Sequence, residues 1–149
     1  MRGLSIEMAD NVIRDLQHLL FQFNSEQPLP EYRCDGSGMR DTSRKVTEII
    51  TLPPVLLIHL KRWFFDEHLV KHKNNEHVTY DFTFPWGATS VYSLTAVVVH
   101  EGEDNIGHYV AFVRQLNGAW FKYDDSRMPE EVPSSSVAAQ IAYLLFYVA

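Results

Sequence analysis

A histidine that directly follows a glycine, His108, and two consecutive aspartates further on, Asp124 and Asp125, are the residues whose types and spacing most readily do chemistry. They lie within "NIGHYVAFVRQLNGAWFKYDDS", residues 105–126, where an alternating strand leads to a turn signal at Asn117-Gly118 and a second strand returns to the aspartates. A carboxylate beside an imidazole fixes its tautomer and stabilises its protonated form, which is the orienting role in a triad of nucleophile, base and carboxylate. A two-residue loop at Asn117-Gly118 pairs Leu116 with Ala119. That register sets Asp125 opposite Val110 and diagonally beside His108, and turns Asp124 to the other face unless a bulge shifts the pairing by one. Gly107, lacking Cβ, leaves room for a substrate backbone to pass close to His108. The same spacing also suits a half-exposed strand histidine and two aspartates that merely end a strand, and the residues alone leave both readings open.

Such a pair needs a rigid frame, and the apolar pattern supplies one. Residues 10–23, "DNVIRDLQHLLFQF", set Val12, Ile13, Leu16, Leu19, Leu20 and Phe23 at helical spacing behind an Asp10 or Asn11 cap, which predicts one amphipathic helix. Residues 25–44 are rich in Gly, Pro and polar side chains and read as a loop or loose hairpin carrying Cys34. Next, "KVTEIITLPPVLLIHLKRW" predicts an alternating strand, a break at Pro53-Pro54 and a buried strand from Val55. "FFDEHLVKHKNNEHVTYDFTF" reads as two strands joined around Asn74-Asn75, "VYSLTAVVVHE" as a buried strand, and "SSSVAAQIAYLLFYV" as a short helix or a closing strand. The layout predicts a single α+β domain with the helix in front and an antiparallel sheet behind.

With 149 residues, 46% of them apolar and 13% aromatic, the chain can bury a core within one domain. A net charge of -6, with 13 scattered Lys and Arg, argues against a nucleic-acid surface and suits a basic partner. Cys34 is the single cysteine, so an intramolecular disulfide is excluded; with no charged-then-apolar leader, the expected compartment is the cytoplasm or nucleus. No apolar run approaches the ~20 residues of a membrane span, and no membrane association is expected.

Four ordered blocks, "LPPVLLIHLKRW", "YSLTAVVVHEGEDNIGHYVAF", "WFKYDDSRM" and "AYLLFY", resemble consecutive blocks of the ubiquitin-specific proteases. The resemblance implies a papain-like cysteine protease fold with thumb, palm and fingers. Residues 1–50 then correspond to a partial, degenerate fingers region with an N-terminal helix, residues 51–149 to the palm β-sheet, and the thumb is missing. It implies thiol-dependent hydrolysis at the C-terminal glycine of ubiquitin or a ubiquitin-like modifier. By the same resemblance His108 is the general base, Asp124 its carboxylate and Asp125 a neighbouring polar helper, one residue away from the register a two-residue turn gives. Gly107, Tyr109 and Trp120 are the implied substrate contacts.

The sequence departs from the family pattern in two places. The family's nucleophile lies in a Gly-Asn-x-Cys-Tyr type motif early in its catalytic domain, and these residues contain no such motif. Cys34 sits in a polar loop with nothing arranged to lower its pKa, so this chain alone is expected to be inactive. The second departure is at the family's finger zinc site, where Cys34 is present but Ser37 stands at the second Cys position. Serine is a poor zinc ligand, and no metal or other cofactor is expected. His59, His68, His72 and His77 read as ordinary surface and core histidines, and Trp63, Phe64, Phe65 and Trp86 mostly as core. Glu101, Glu103, Asp104, Glu130 and Glu131 are either a basic partner's landing surface or solvated loops. Three readings follow: the His/Asp half of a deubiquitinase completed by a thumb-supplying chain, a pseudo-enzyme that binds ubiquitin without cleaving it, or an interaction module. An apolar face left by the thumb predicts self-association or dependence on a second chain.

Overall fold

Alternation on a pleated backbone sends successive side chains to opposite faces, and the computed structural model is accordingly built mostly of strands. It describes residues 2–8, 15–29, 33–34, 38–39, 43–86, 90–103 and 106–149. In chain order the elements begin with β1 (Arg2–Glu7), α1 (Leu16–Asn24), β2 (Gln27–Pro28), β3 (Arg33–Cys34), β4 (Gly38–Met39), β5 (Arg44–Lys45) and β6 (Val55–Lys61). They continue with β7 (Trp63–Phe65), β8 (Lys71–Lys73), β9 (Thr83–Trp86), β10 (Ser90–Glu103), β11 (Ile106–Arg114), β12 (Trp120–Tyr123), β13 (Glu130–Val132), α2 (Ser134–Ala138) and β14 (Ala142–Val148). The expected α+β layout is present.

Eight strands form one sheet in the order β1-β6-β14-β10-β11-β12-β13, with β9 also paired to β10. Its core face is read directly from the sequence alternation: Leu56, Ile58 and Leu60 of β6, Val110 and Phe112 of β11, and Leu145 and Tyr147 of β14 are all buried. Each such aliphatic side chain contributes about 2 kcal/mol on leaving water. In β10 the buried positions run Tyr92, Leu94, Val97 and Val99, and the odd step from Leu94 to Val97 coincides with a register shift between Leu94 and Ala96. A bulge of this kind lets both ends of a long strand face the same core. Leu16, Leu19 and Leu20 of α1 complete that core.

Several expectations change. The helix begins at Leu16, not near residue 10, because Asp15 is its cap: the carboxylate accepts from the His18 amide at 3.1 Å and from the Thr79 hydroxyl at 3.1 Å. Asp10 and Asn11, the expected caps, lie outside the described residues. β1 was not anticipated; it pairs in parallel with β6, so Leu4 and Ile6 belong with the large sheet and the division near residue 50 cuts across it. The strand expected after Lys45 is not formed, and Ile50 is exposed. The break at Pro53-Pro54 stands, closed by the Tyr92 hydroxyl donating to the Pro53 carbonyl at 2.5 Å.

The turn expected at Asn74-Asn75 falls earlier, between β7 and β8. Asp66 makes it, accepting from the His68 amide at 2.9 Å and the Val70 amide at 2.8 Å. Side-chain capture of backbone amides replaces the glycine that a turn otherwise needs, and Leu69 is held at φ 59°. In the resulting hairpin Phe64 and Phe65 are exposed, which corrects their assignment to the core. The tail is both of its alternatives, α2 followed by β14. Arg62 is buried and has three backbone carbonyls as acceptors, those of Ala142 at 2.6 Å, Asn74 at 3.0 Å and Glu76 at 2.8 Å. Burial lowers its pKa to about 10. No helix among the described residues is long and apolar enough to cross a membrane.

Candidate active site

The loop between β11 and β12 decides which aspartate meets His108. The Gln115 amide donates to the Ala119 carbonyl at 2.8 Å, the Gly118 amide donates back to Gln115 at 2.9 Å, and Gly118 sits at φ 88°. This is a three-residue loop, Leu116 to Gly118, with glycine at the left-handed position that makes a bulge. The ladder therefore pairs Arg114 with Trp120 and Ala111 with Tyr123, one residue off the two-residue register. Continued by one pair, it sets Asp124 opposite Val110. The register that pointed to Asp125 is thus corrected: His108 Nε2 lies 2.5 Å from Asp124 Oδ1, and Asp125 Oδ2 is 3.6 Å from His108 Nδ1.

His108 continues the row of Val110 and Phe112, at the point where core packing gives out and the face opens to solvent. The Asp124 side chain is only 15% exposed and faces two cations, Arg127 Nη1 at 3.2 Å and Lys122 Nζ at 3.9 Å from Oδ2. Asp125 adopts φ 48°, and the Arg127 amide closes a turn onto the Asp124 carbonyl at 3.0 Å, so the chain leaves the strand here and Asp125 stays in solvent. The hydrogen bond to Asp124 raises the His108 pKa above 6.5, against some desolvation, and the charges of Asp125, Asp124 and Glu101 add to it. Reciprocally, the bond to His108 holds Asp124 below the usual carboxylate range, with Arg127 and Lys122 assisting against desolvation. With Asp124 ionised, Nε2 carries the proton in the neutral ring, and the Nδ1 lone pair is turned away from the carboxylate. That nitrogen can accept a proton from an incoming group.

The other candidate contacts divide. Tyr109 is half-exposed on the opposite face of β11, its ring 4.8 Å from that of His100. Trp120 is buried, packed edge-on against Phe82 at 5.6 Å, so it is core and not a substrate contact. Gly107 is held for a different reason than substrate passage: a Cβ there would lie 1.9 Å from His100 Nε2. His100 itself, buried in β10, was missed as a functional neighbour because a histidine at the end of an apolar run reads as a strand terminus.

Among the described residues, the three metal-capable groups that converge are His108, Asp124 and Asp125, whose ligand atoms lie within 4.8 Å of one another. Arg127 and Lys122 already neutralise Asp124, which opposes a bound cation. The β7–β8 histidines are engaged separately, His72 Nε2 with Asp66 at 2.8 Å and His68 Nε2 with Glu67 at 3.6 Å. The backbone of Cys34 lies in β3, and Ser37 falls outside the described residues.

The family model described as ubiquitin carboxyl-terminal hydrolase matches residues 4–147. Ubiquitin carboxyl-terminal hydrolase 8 of Saccharomyces cerevisiae is 31% identical over 97% of this chain and 34% of its own length. Ubiquitin carboxyl-terminal hydrolase 23 of Arabidopsis thaliana is 32% identical over 98% of this chain and 18% of its own. Among solved structures, a chain of the SAGA Ubp8/Sgf11/Sus1/Sgf73 DUB module bound to ubiquitin aldehyde superposes with a TM-score of 0.83 at 27% identity, covering 98% of this chain and 35% of that one. A second structure of the SAGA Ubp8/Sgf11/Sus1/Sgf73 DUB module gives a TM-score of 0.78 at 27% identity, over 98% of this chain and 32% of the other. The chain thus spans about a third or less of the relatives it matches. Matched over nearly its whole length by the family model and sharing the papain-like α+β fold of these structures, the chain belongs to the ubiquitin carboxyl-terminal hydrolase family.

Proposed function

We propose that this chain supplies the general base and its orienting carboxylate to a cysteine-type deubiquitinase site, and that the nucleophilic thiol comes from outside residues 1–149. The observation that carries this is the His108–Asp124 bond through Nε2, which leaves Nδ1 turned away from Asp124, with only the exposed Asp125 carboxylate 3.6 Å from it. In that role Nδ1 takes the thiol proton as sulfur attacks the carbonyl carbon of the terminal glycine, and the imidazolium then returns the proton to the amine that leaves from that carbon. Water releases the acyl group in a second step with His108 again as base. Asp124 holds the ring and stabilises its charged form; Asp125 adds charge at a distance. Tyr109, the candidate contact kept from the sequence, is exposed on the face of β11 opposite His108 and would meet a substrate there, not at the imidazole.

Ubiquitin or a ubiquitin-like modifier is the proposed partner, supported by the ubiquitin aldehyde in the related structure. A reducing compartment, cytoplasm or nucleus, suits a thiol mechanism. Exposed Ile106, on the His108 face of β11, and exposed Met128, just past β12, favour cover by a second polypeptide, whether a thumb-supplying segment or another copy. A second reading, binding without cleavage, draws on the single cysteine of the sequence. The test is hydrolysis of ubiquitin bearing a C-terminal fluorogenic leaving group, with and without an added thiol-bearing family segment. Turnover only with the segment supports the half-site. Absent turnover with measurable ubiquitin affinity favours the binder, and neither turnover nor affinity would sink both.

A further inference from the structure

Beyond Val99, β10 has no strand partner among the described residues on the side that β14 occupies earlier, because their pairing ends at Val99 with Ala142. An unsatisfied strand edge would leave backbone carbonyls without donors. Lys73 of β8 fills that gap: its ammonium donates to the His100 carbonyl at 2.7 Å and to the Gly102 carbonyl at 2.8 Å. Glu101, between those two residues, is the register partner of His108. The ammonium therefore grips the one stretch of β10 on which His108 is laid.

The ring of His100 adds a second attachment. It stands 5.7 Å from the ring of Trp63 in β7, 4.8 Å from Tyr109 and 6.2 Å from Tyr143, and it fills the space that Gly107 leaves by having no Cβ. Lys73 Nζ is also 5.9 Å from the centre of Trp63. Burial and the Lys73 charge keep His100 neutral by lowering its pKa. In the antiparallel register His100, Gly107 and Tyr109 share one face, and His108 and Val110 the other. The β7–β8 hairpin thus holds the β10–β11 hairpin from the back of the site.

We propose that Lys73, together with the His100 ring, is a positioning strap that fixes where His108 stands relative to Asp124. This rests on the reading of His108 as the general base. Released from the strap, the end of β10 frays, Glu101 no longer fixes His108, and the 2.5 Å bond to Asp124 loosens.

The experiment is the titration of His108 by NMR in the 149-residue chain, in wild type, Lys73→Met and Lys73→Arg. Loss of a nearby cation can only raise an imidazole pKa, whereas loss of the Asp124 contact lowers it, so the two causes have opposite signs. The strap predicts that Lys73→Met shifts the His108 midpoint down toward the ordinary value and speeds amide exchange at His108 and Gly107, and that Lys73→Arg restores both. A midpoint unchanged or raised in Lys73→Met overturns it. If Lys73→Met fails to give a native amide spectrum, Lys73→Gln is read against the same criterion. The readout needs neither thiol nor substrate, so a negative hydrolysis assay would count against the catalytic reading and leave this result to stand or fall separately.

Discussion

Two hairpins of this molecule each pair a histidine with an aspartate, and only one has the makings of a catalytic site. In the β7–β8 hairpin His72 Nε2 lies 2.8 Å from Asp66; in the β11–β12 hairpin His108 Nε2 lies 2.5 Å from Asp124. The difference is what else the carboxylate does. Asp66 accepts from two turn amides and keeps a backbone reversal closed around Leu69, so its charge is committed to local structure. Asp124 is less exposed, is faced by Arg127 and Lys122, and leaves its histidine raised in pKa at the mouth of the core face. A His–Asp contact is therefore a site only where the carboxylate has no turn to hold and the free nitrogen has somewhere to act.

The sharpest way to break the comparison is to neutralise each aspartate. Asp124→Asn should lower kcat of the thiol-completed enzyme by roughly 10⁴-fold, the scale seen when a triad carboxylate loses its charge and the imidazole its tautomer. Asp66→Asn should leave kcat nearly unchanged while amide exchange at Val70 accelerates, measured by hydrogen exchange. Equal losses from both variants would erase the distinction. Next in size is Gly107→Ala, which drives a methyl into the His100 ring and should cost about 1–3 kcal/mol in urea unfolding, as overpacking does. Adding His100→Ala should recover part of that loss, because the clash is with that ring.

The smallest effect is on stability against pH. The folded pKa of His108 is raised, so its contribution is fully present below 6.5 and is lost as pH rises through the folded value. That of Asp124 is lowered, so its contribution is fully present above 3.8 and is lost as pH falls through its folded value. The pair is thus worth most between those two limits, and the dependence of the unfolding midpoint on pH should flatten in Asp124→Asn. Asp66→Asn should leave the limb above pH 6.5 as it is in wild type.

The sequence made the large sheet legible because β6, β10, β11 and β14 alternate or run apolar over long stretches, where burial overrides everything else. His108 and its aspartates were legible for the same reason, lying at the ends of two such strands. The turn alone did not decide between Asp124 and Asp125, since Asn117-Gly118 serves equally in a two-residue turn and as the last residues of a three-residue loop with a bulge; the resemblance, not the register, pointed to Asp124. The same one-residue shift, with Phe82 packing, decided that Trp120 belongs to the core. β1 escaped because six residues carry too little pattern to stand alone and are fixed only by β6. The β7–β8 turn escaped because Asp66, not Gly or Asn, closes it, and the Lys73 grip on β10 joins segments whose adjacency no local pattern encodes.

The most direct measurement is the protonation state of the two His108 nitrogens, read from ¹⁵N shifts of the imidazole across pH. A site built to receive a thiol proton predicts a midpoint above 6.5 and, on its alkaline side, a neutral ring protonated at Nε2 with Nδ1 bare. A ring protonated at Nδ1, or a midpoint that does not fall in Asp124→Asn, would show that the carboxylate does not orient this histidine and that the pair is no more than the end of a strand.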